Sequence, residues 1–128
     1  MASGATAMAS AVWWWWRPRR VVVRGGSMTP TLQAGDHLLV VRSRRARPGE
    51  IVALVDPREP ERVLVKRVAQ VGPSGLAVLG DNAAASTDSR HFGPVPASSL
   101  LGRVRYRYAP ADRVGRLGSA HEASQSRR

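Results

Sequence analysis

The chain contains no cysteine, so neither a disulfide framework nor a thiolate metal site is available to it. Its three histidines, His37, His91 and His121, lie apart without metal-ligand spacing, which argues against a zinc centre. No metal and no cofactor are expected. Aromatic residues are scarce, and four of them form one run, Trp13, Trp14, Trp15 and Trp16. Acidic residues number nine against twenty basic ones, for a net charge of +11. Such a charge would attract nucleic acid, anionic lipid or an acidic protein, and by itself selects none of them. No uncharged stretch reaches the roughly twenty apolar residues that a spanning helix needs. Residues 1–16 come nearest, but their first half is mostly Ala, Gly, Ser and Thr, with neither a basic start nor a signal-peptide cleavage pattern. The expectation is a cytoplasmic protein that neither spans a membrane nor is exported. Peripheral membrane contact stays open through the four tryptophans with Arg17, Arg19 and Arg20, because indole favours the headgroup layer and arginine favours anionic lipid. A flap over the protein's own surface, or a partner's, is the alternative use of that run.

Lysine is nearly absent too. Nineteen of the twenty basic residues are arginine, and the one lysine, Lys66, sits inside the apolar run Arg62–Val68. A guanidinium stays protonated at any accessible pH, whereas an ammonium moved into apolar surroundings can lose its proton and act as a base. A fixed charge would suit arginine, so a lone lysine here suggests a general base for some nucleophile. The competing reading is a lysine that lays its stem along a sheet and snorkels to water.

At 128 residues the chain has room for one domain. Residues 1–18 form a Trp-rich apolar segment, 19–109 the folded core, and 110–128 a basic disordered tail poor in apolar residues. Beyond Arg17 the apolar residues come in short β-branched runs punctuated by Gly and Pro, which predicts a mostly β domain. Strands are expected at 20–24, 37–42, 51–56, 61–71, 75–79 and 101–108, with short turns near 30–33 and 97–100. The turn Gly72-Pro73-Ser74-Gly75 should close a hairpin after the lysine strand. Period-two alternation puts Lys66 on one face with Leu64 and Val68, while Val63, Val65 and Arg67 point the other way.

Two further segments carry chemistry. In Gly25-Gly26-Ser27-Met28-Thr29-Pro30, a serine follows two glycines, which permit close backbone approach and expose the Ser27 amide. Gly80-Asp81-Asn82 running to Ser86-Thr87-Asp88-Ser89-Arg90 is an irregular stretch dense in hydrogen-bonding groups, able to orient a catalytic side chain or simply to satisfy its own backbone.

Together, Gly26–Leu32 with Gly35-Asp36, then Val65-Lys66-Arg67-Val68, then Gly80–Asn82 leading to Ser86–Arg90 resemble the type I signal peptidase family of Ser-Lys proteases, in order and spacing, over about residues 20–108. The resemblance implies a small, partly open β-barrel or sandwich. It implies Ser27 as nucleophile, Lys66 as its base, Ser86 as the residue that aims the lysine, the Ser27 amide as an oxyanion donor, and Asp81, Asp88 and Arg90 as structural support. Substrate would add as a strand between Val22-Val23-Arg24-Gly25 and Val63-Leu64-Val65. Glycine at 25 departs from members that carry a serine oxyanion donor there.

Short length, the Arg47-Pro48-Gly49-Glu50 turn and the form of Ala83–Pro96 make the chain look most like small actinobacterial proteases that mature nickel-containing superoxide dismutase. The expected partner is therefore a protein precursor whose N-terminal leader is removed. Processing of exported preproteins is the nearest rival. A basic nucleic-acid-binding module is a rival of another class, opposed by the absence of a helix-turn-helix pattern and of aromatics interleaved with the basic residues, Tyr106 and Tyr108 excepted. Nucleic acid is not an expected partner.

Overall fold

The computed structural model describes residues 18–117. Its strands are β1 (Arg19–Val22), β2 (His37–Val41), β3 (Ile51–Asp56), β4 (Glu59–Gly72), β5 (Gly75–Leu79), β6 (Leu100–Ala109) and β7 (Gly115–Arg116). All pair antiparallel in one sheet of order β1-β2-β6-β3-β4-β5, and β7 pairs with β6. The six expected strands coincide with β1–β6 to within a few residues. The sheet curls but does not close, as expected of a mostly β, partly open fold.

Both faces of the sheet are covered, and β3 shows why its sequence is an unbroken apolar run. Ile51 and Ala53 point into a cluster with Val23, Met28, Leu32, Leu38, Val40 and Val104. Val52 and Leu54 point into a second cluster with Val68, Leu76, Val78 and Val95. A strand covered on both sides has no polar face to alternate with. β4 divides between the same clusters as the alternation predicts, Val63 and Val65 packing on the first and Leu64 and Val68 on the second. The β4–β5 hairpin turns at Pro73-Ser74, with Gly72 opposite Gly75.

Two features depart from expectation. The chain past Pro110, expected to be a tail, is structured as far as Leu117. Ala111–Arg113 make a 3-10 turn, and β7 pairs with Tyr106 and Arg107. The cause is Asp36, a buried carboxylate that accepts from Arg113 at 2.9 Å and Arg107 at 3.2 Å, while Leu117 packs on the first cluster. A buried carboxylate demands such partners, and they tie residues 107–113 to the loop after the Ser27 turn. The second departure is a one-turn helix, α1 (Ser89–Phe92), capped by Asp88, whose side chain accepts the Arg90 amide while His91 Nδ1 accepts the Asp88 amide. The expectations for residues 1–17 and 118–128 lie outside the described residues.

Candidate active site

Lys66 is 3% exposed, on the β4 face that carries Leu64 and Val68. Its Nζ donates to Ser86 Oγ at 3.1 Å, and Ser86 Oγ donates to Asp88 Oδ2 at 2.6 Å. Asp88 is fully buried and saturated with donors: the Gly80 amide at 2.9 Å, Arg90 Nη2 at 2.8 Å and Arg90 Nε at 2.9 Å. Ser86 follows a 3-10 turn, Ala83–Ala85, and Asp88 is held by the α1 cap, so local structure in one loop delivers both groups to the lysine.

Burial pushes the Lys66 amine below the ordinary lysine range. The Asp88 carboxylate pulls it back up, and the Arg58 and Arg90 guanidiniums push it down again. For Asp88, burial alone would raise the carboxyl. The Arg90 guanidinium, the Ser86 hydroxyl and the Gly80 and Arg90 amides together hold it far below the usual carboxylate range. The lysine is thus biased toward neutrality beside a carboxylate that stays charged.

Ser27 lies in the turn after β1, half-buried, and lines the same cleft as Lys66. The Gly80–Asn82 segment is bonded to this turn. The Asn82 amide donates to Ser27 O at 2.8 Å, and Asn82 Nδ2 donates to Gly26 O at 3.2 Å and Thr29 Oγ1 at 3.0 Å. Gly80 is wedged between the two serines: a Cβ there would stand 2.2 Å from Ser86 Oγ and 2.6 Å from Ser27 O. Arg67, next to the lysine, donates twice to Asp81 at 2.8 Å, and Thr31 Oγ1 adds a bond to Asp81 Oδ2 at 2.6 Å. The lysine strand, the serine turn and the loop are thereby cross-braced. Sequence reasoning missed the roles of Gly80, Asn82 and Arg67. All three flank residues it had singled out, but neighbourhood in sequence does not say what a side chain reaches across the fold.

The cleft measures about 720 Å³ and runs between Val21–Met28 and Arg58–Lys66. Its walls are open strand edges. β5 pairs with β4 only from Arg67 onward, and β1 has only β2 beside it. Val23 N–H donates to Asp36 O and Val23 C=O accepts from Gly35, so alternation turns the backbone of Val22 and Arg24 toward the gap. Across it, Val68 bonds Gly49 and Glu50, beside β3, which turns Lys66 and Leu64 the same way and leaves Val63 and Val65 facing the gap. Of the expected substrate-strand residues, Val22, Arg24, Val63 and Val65 therefore present free backbone groups, whereas those of Val23 and Leu64 are directed into the sheet. Gly25 has φ of 75°, and a Cβ there would meet nothing within 4 Å. No His, Asp or Glu cluster able to hold a metal occurs among the described residues.

Proteins similar to this chain in sequence are peptidases. The family described as signal peptidase, peptidase S26, matches residues 2–75 and 69–109. The mitochondrial ATP-independent inner membrane protease subunit 1a of Arabidopsis thaliana is 36% identical over 122 residues, covering 74% of this chain and 73% of that protein. Mitochondrial inner membrane protease subunit 2 of Mus musculus is 32% identical over 123 residues, covering 76% and 70%. Signal peptidase I of Bacillus caldolyticus is 49% identical over 41 residues, covering 32% and 22%. The chain is a serine-type endopeptidase. It belongs to the signal peptidase family, peptidase S26. The likeness to nickel superoxide dismutase maturation proteases finds no support in these relatives, which are named as inner membrane protease subunits and a signal peptidase.

Proposed function

We propose that Ser27 is the nucleophile and Lys66 its base in an endopeptidase that removes an N-terminal leader from a protein precursor. The observation that carries this reading is the buried Lys66 Nζ bonded to Ser86 in a cleft shared with Ser27. Because Ser86 gives its own proton to Asp88, its oxygen can only accept from the lysine. One lysine N–H is thereby fixed, and the lone pair of the neutral amine is left for the Ser27 hydroxyl. The amine takes the hydroxyl proton as Oγ attacks the scissile carbonyl, then returns it to the leaving amine. The precursor enters as an added strand that completes the free edges of Val22, Arg24, Val63 and Val65.

The substrate pool is a finer matter with two candidates. The relatives' names favour precursors at a membrane, a pool that overlaps with exported preproteins. The form of Ala83–Pro96 and the Arg47–Glu50 turn favour the leader of a nickel superoxide dismutase precursor, a reading that rests on sequence likeness alone. Membrane association is proposed through Trp13–Trp16 and Arg17, outside the described residues, with Arg19 and Arg20, both exposed on β1. No helix among the described residues is long and apolar enough to cross a membrane. Incubating purified protein with each precursor and reading the new N-termini by mass spectrometry decides between the pools. Ser27→Ala and Lys66→Arg should both abolish cleavage, and an active Ser27→Ala variant would refute the mechanism.

A further inference from the structure

With glycine at 25, the backbone of the Ser27 turn must stabilise the oxyanion unaided by a side chain at that position, so the orientation of the Gly26–Ser27 peptide matters. Its carbonyl is held by three donors: Thr29 N at 3.2 Å, Thr29 Oγ1 at 2.9 Å and Asn82 Nδ2 at 3.2 Å. The next carbonyl, Ser27 O, is held by the Asn82 amide at 2.8 Å. In a trans peptide the C=O and the following N–H point in opposite directions. Neither Thr29 nor Asn82 lines the cleft, so the clamp draws Gly26 O away from it and directs the Ser27 N–H toward it. That N–H donates to no group among the described residues, so it is available to a ligand.

Two of the four clamping bonds come from Asn82, one from its side chain and one from its backbone. Thr29 belongs to the same turn and moves with it. Asn82 belongs to the loop that also carries Ser86, so it is the fixed point that relates the oxyanion donor to the lysine. We propose that Asn82 is a positioning residue for the oxyanion site, setting the Gly26–Ser27 peptide plane without touching substrate. The proposal rests on Ser27 being the nucleophile.

The test uses a pair of probes on the full chain: a leader peptide ending in alaninal, and the same peptide ending in the corresponding alcohol. The aldehyde adds reversibly to a serine hydroxyl. The Oγ–C bond forms, the C=O π bond becomes the hemiacetal oxyanion, and the hydroxyl proton passes to the base. The alcohol binds without a covalent bond. Asn82→Ala should weaken the aldehyde about 10–100-fold, somewhat less than the loss of a whole oxyanion donor, and leave the alcohol unchanged. The kcat for peptide cleavage should fall by the same factor, with KM and the midpoint of the pH profile unmoved. Asn82→Asp, which keeps the size but removes the donor, should behave alike and carries the test if the alanine variant does not fold. Equal weakening of both probes, or no weakening of either, would overturn the positioning role. Ser27→Ala separates this outcome from failure of the mechanism: it should erase the aldehyde's advantage, and an advantage that survives there refutes the Ser27 reading whatever Asn82 does.

Discussion

Gly80→Ala adds one methyl group at the narrowest point of the site. The new Cβ would lie 2.2 Å from Ser86 Oγ, 2.5 Å from Ser86 Cβ and 2.6 Å from Ser27 O, all well inside van der Waals contact. Relief requires moving the Ser86 hydroxyl by roughly 1 Å and the Ser27 backbone by about half as much. Neither can yield freely. Ser86 is bonded at 3.1 Å to Lys66 and 2.6 Å to Asp88, and Ser27 O at 2.8 Å to Asn82. The Gly80 amide is itself anchored on Asp88 at 2.9 Å. Overpacking of this kind costs about 1–3 kcal/mol, and a melting temperature would fall by about 4–8 °C per kcal/mol in a domain of this size. Activity should suffer far more, because a displacement of about 1 Å between reacting groups costs on the order of 100-fold. Parallel thermal melts and peptide-cleavage assays would show a folded protein with little activity. A Gly80→Ala variant that folds and cleaves like the wild type would refute the inference that this glycine sets the distance between the serine turn and the lysine's partner.

Other outcomes follow from the same geometry. Since burial lowers the Lys66 pKa, kcat/KM should rise with pH through a midpoint below the ordinary lysine value of about 10.4; a flat profile would exclude lysine as the base. Stability should rise with pH in two separate windows. Asp88, Asp81 and Asp56 have lowered folded-state pKa values, so their contribution is present above about pH 4 and is lost as pH falls through the unfolded-state value toward the folded ones. Lys66 acts in the same sense in a higher window: its burial destabilises the fold below its lowered folded-state pKa, and that penalty is relieved as pH rises toward the unfolded-state value. Denaturant midpoints measured against pH should therefore drop below about pH 4, and Asp88→Asn should blunt that drop. A double-mutant cycle on Arg67 and Asp81, a two-pronged pair with both side chains under one-fifth exposed, should give a coupling of about 1–2 kcal/mol. Additive effects would mean that the brace is not energetic.

Much of the fold was legible because it rests on local signals. The strand positions follow from β-branched runs bounded by Gly and Pro. Lys66 announced itself as the one lysine in an arginine-rich chain, and alternation assigned it to the Leu64 and Val68 face. The ordering of residues 110–117 was not legible, since it depends on Asp36, more than seventy positions away, finding Arg107 and Arg113.

From the order of residues alone came the strand pattern, the chemical oddity of the lone lysine and the three segments that carry the site. Those properties belong to short windows, where propensity and periodicity act. Only the folded chain decided that Gly80 must be glycine, that Asn82 grips the Ser27 turn, and that β1 and β4 leave facing edges unpaired. These are distances between segments remote in sequence, fixed by how a seven-stranded sheet curls without closing, and no local pattern encodes them.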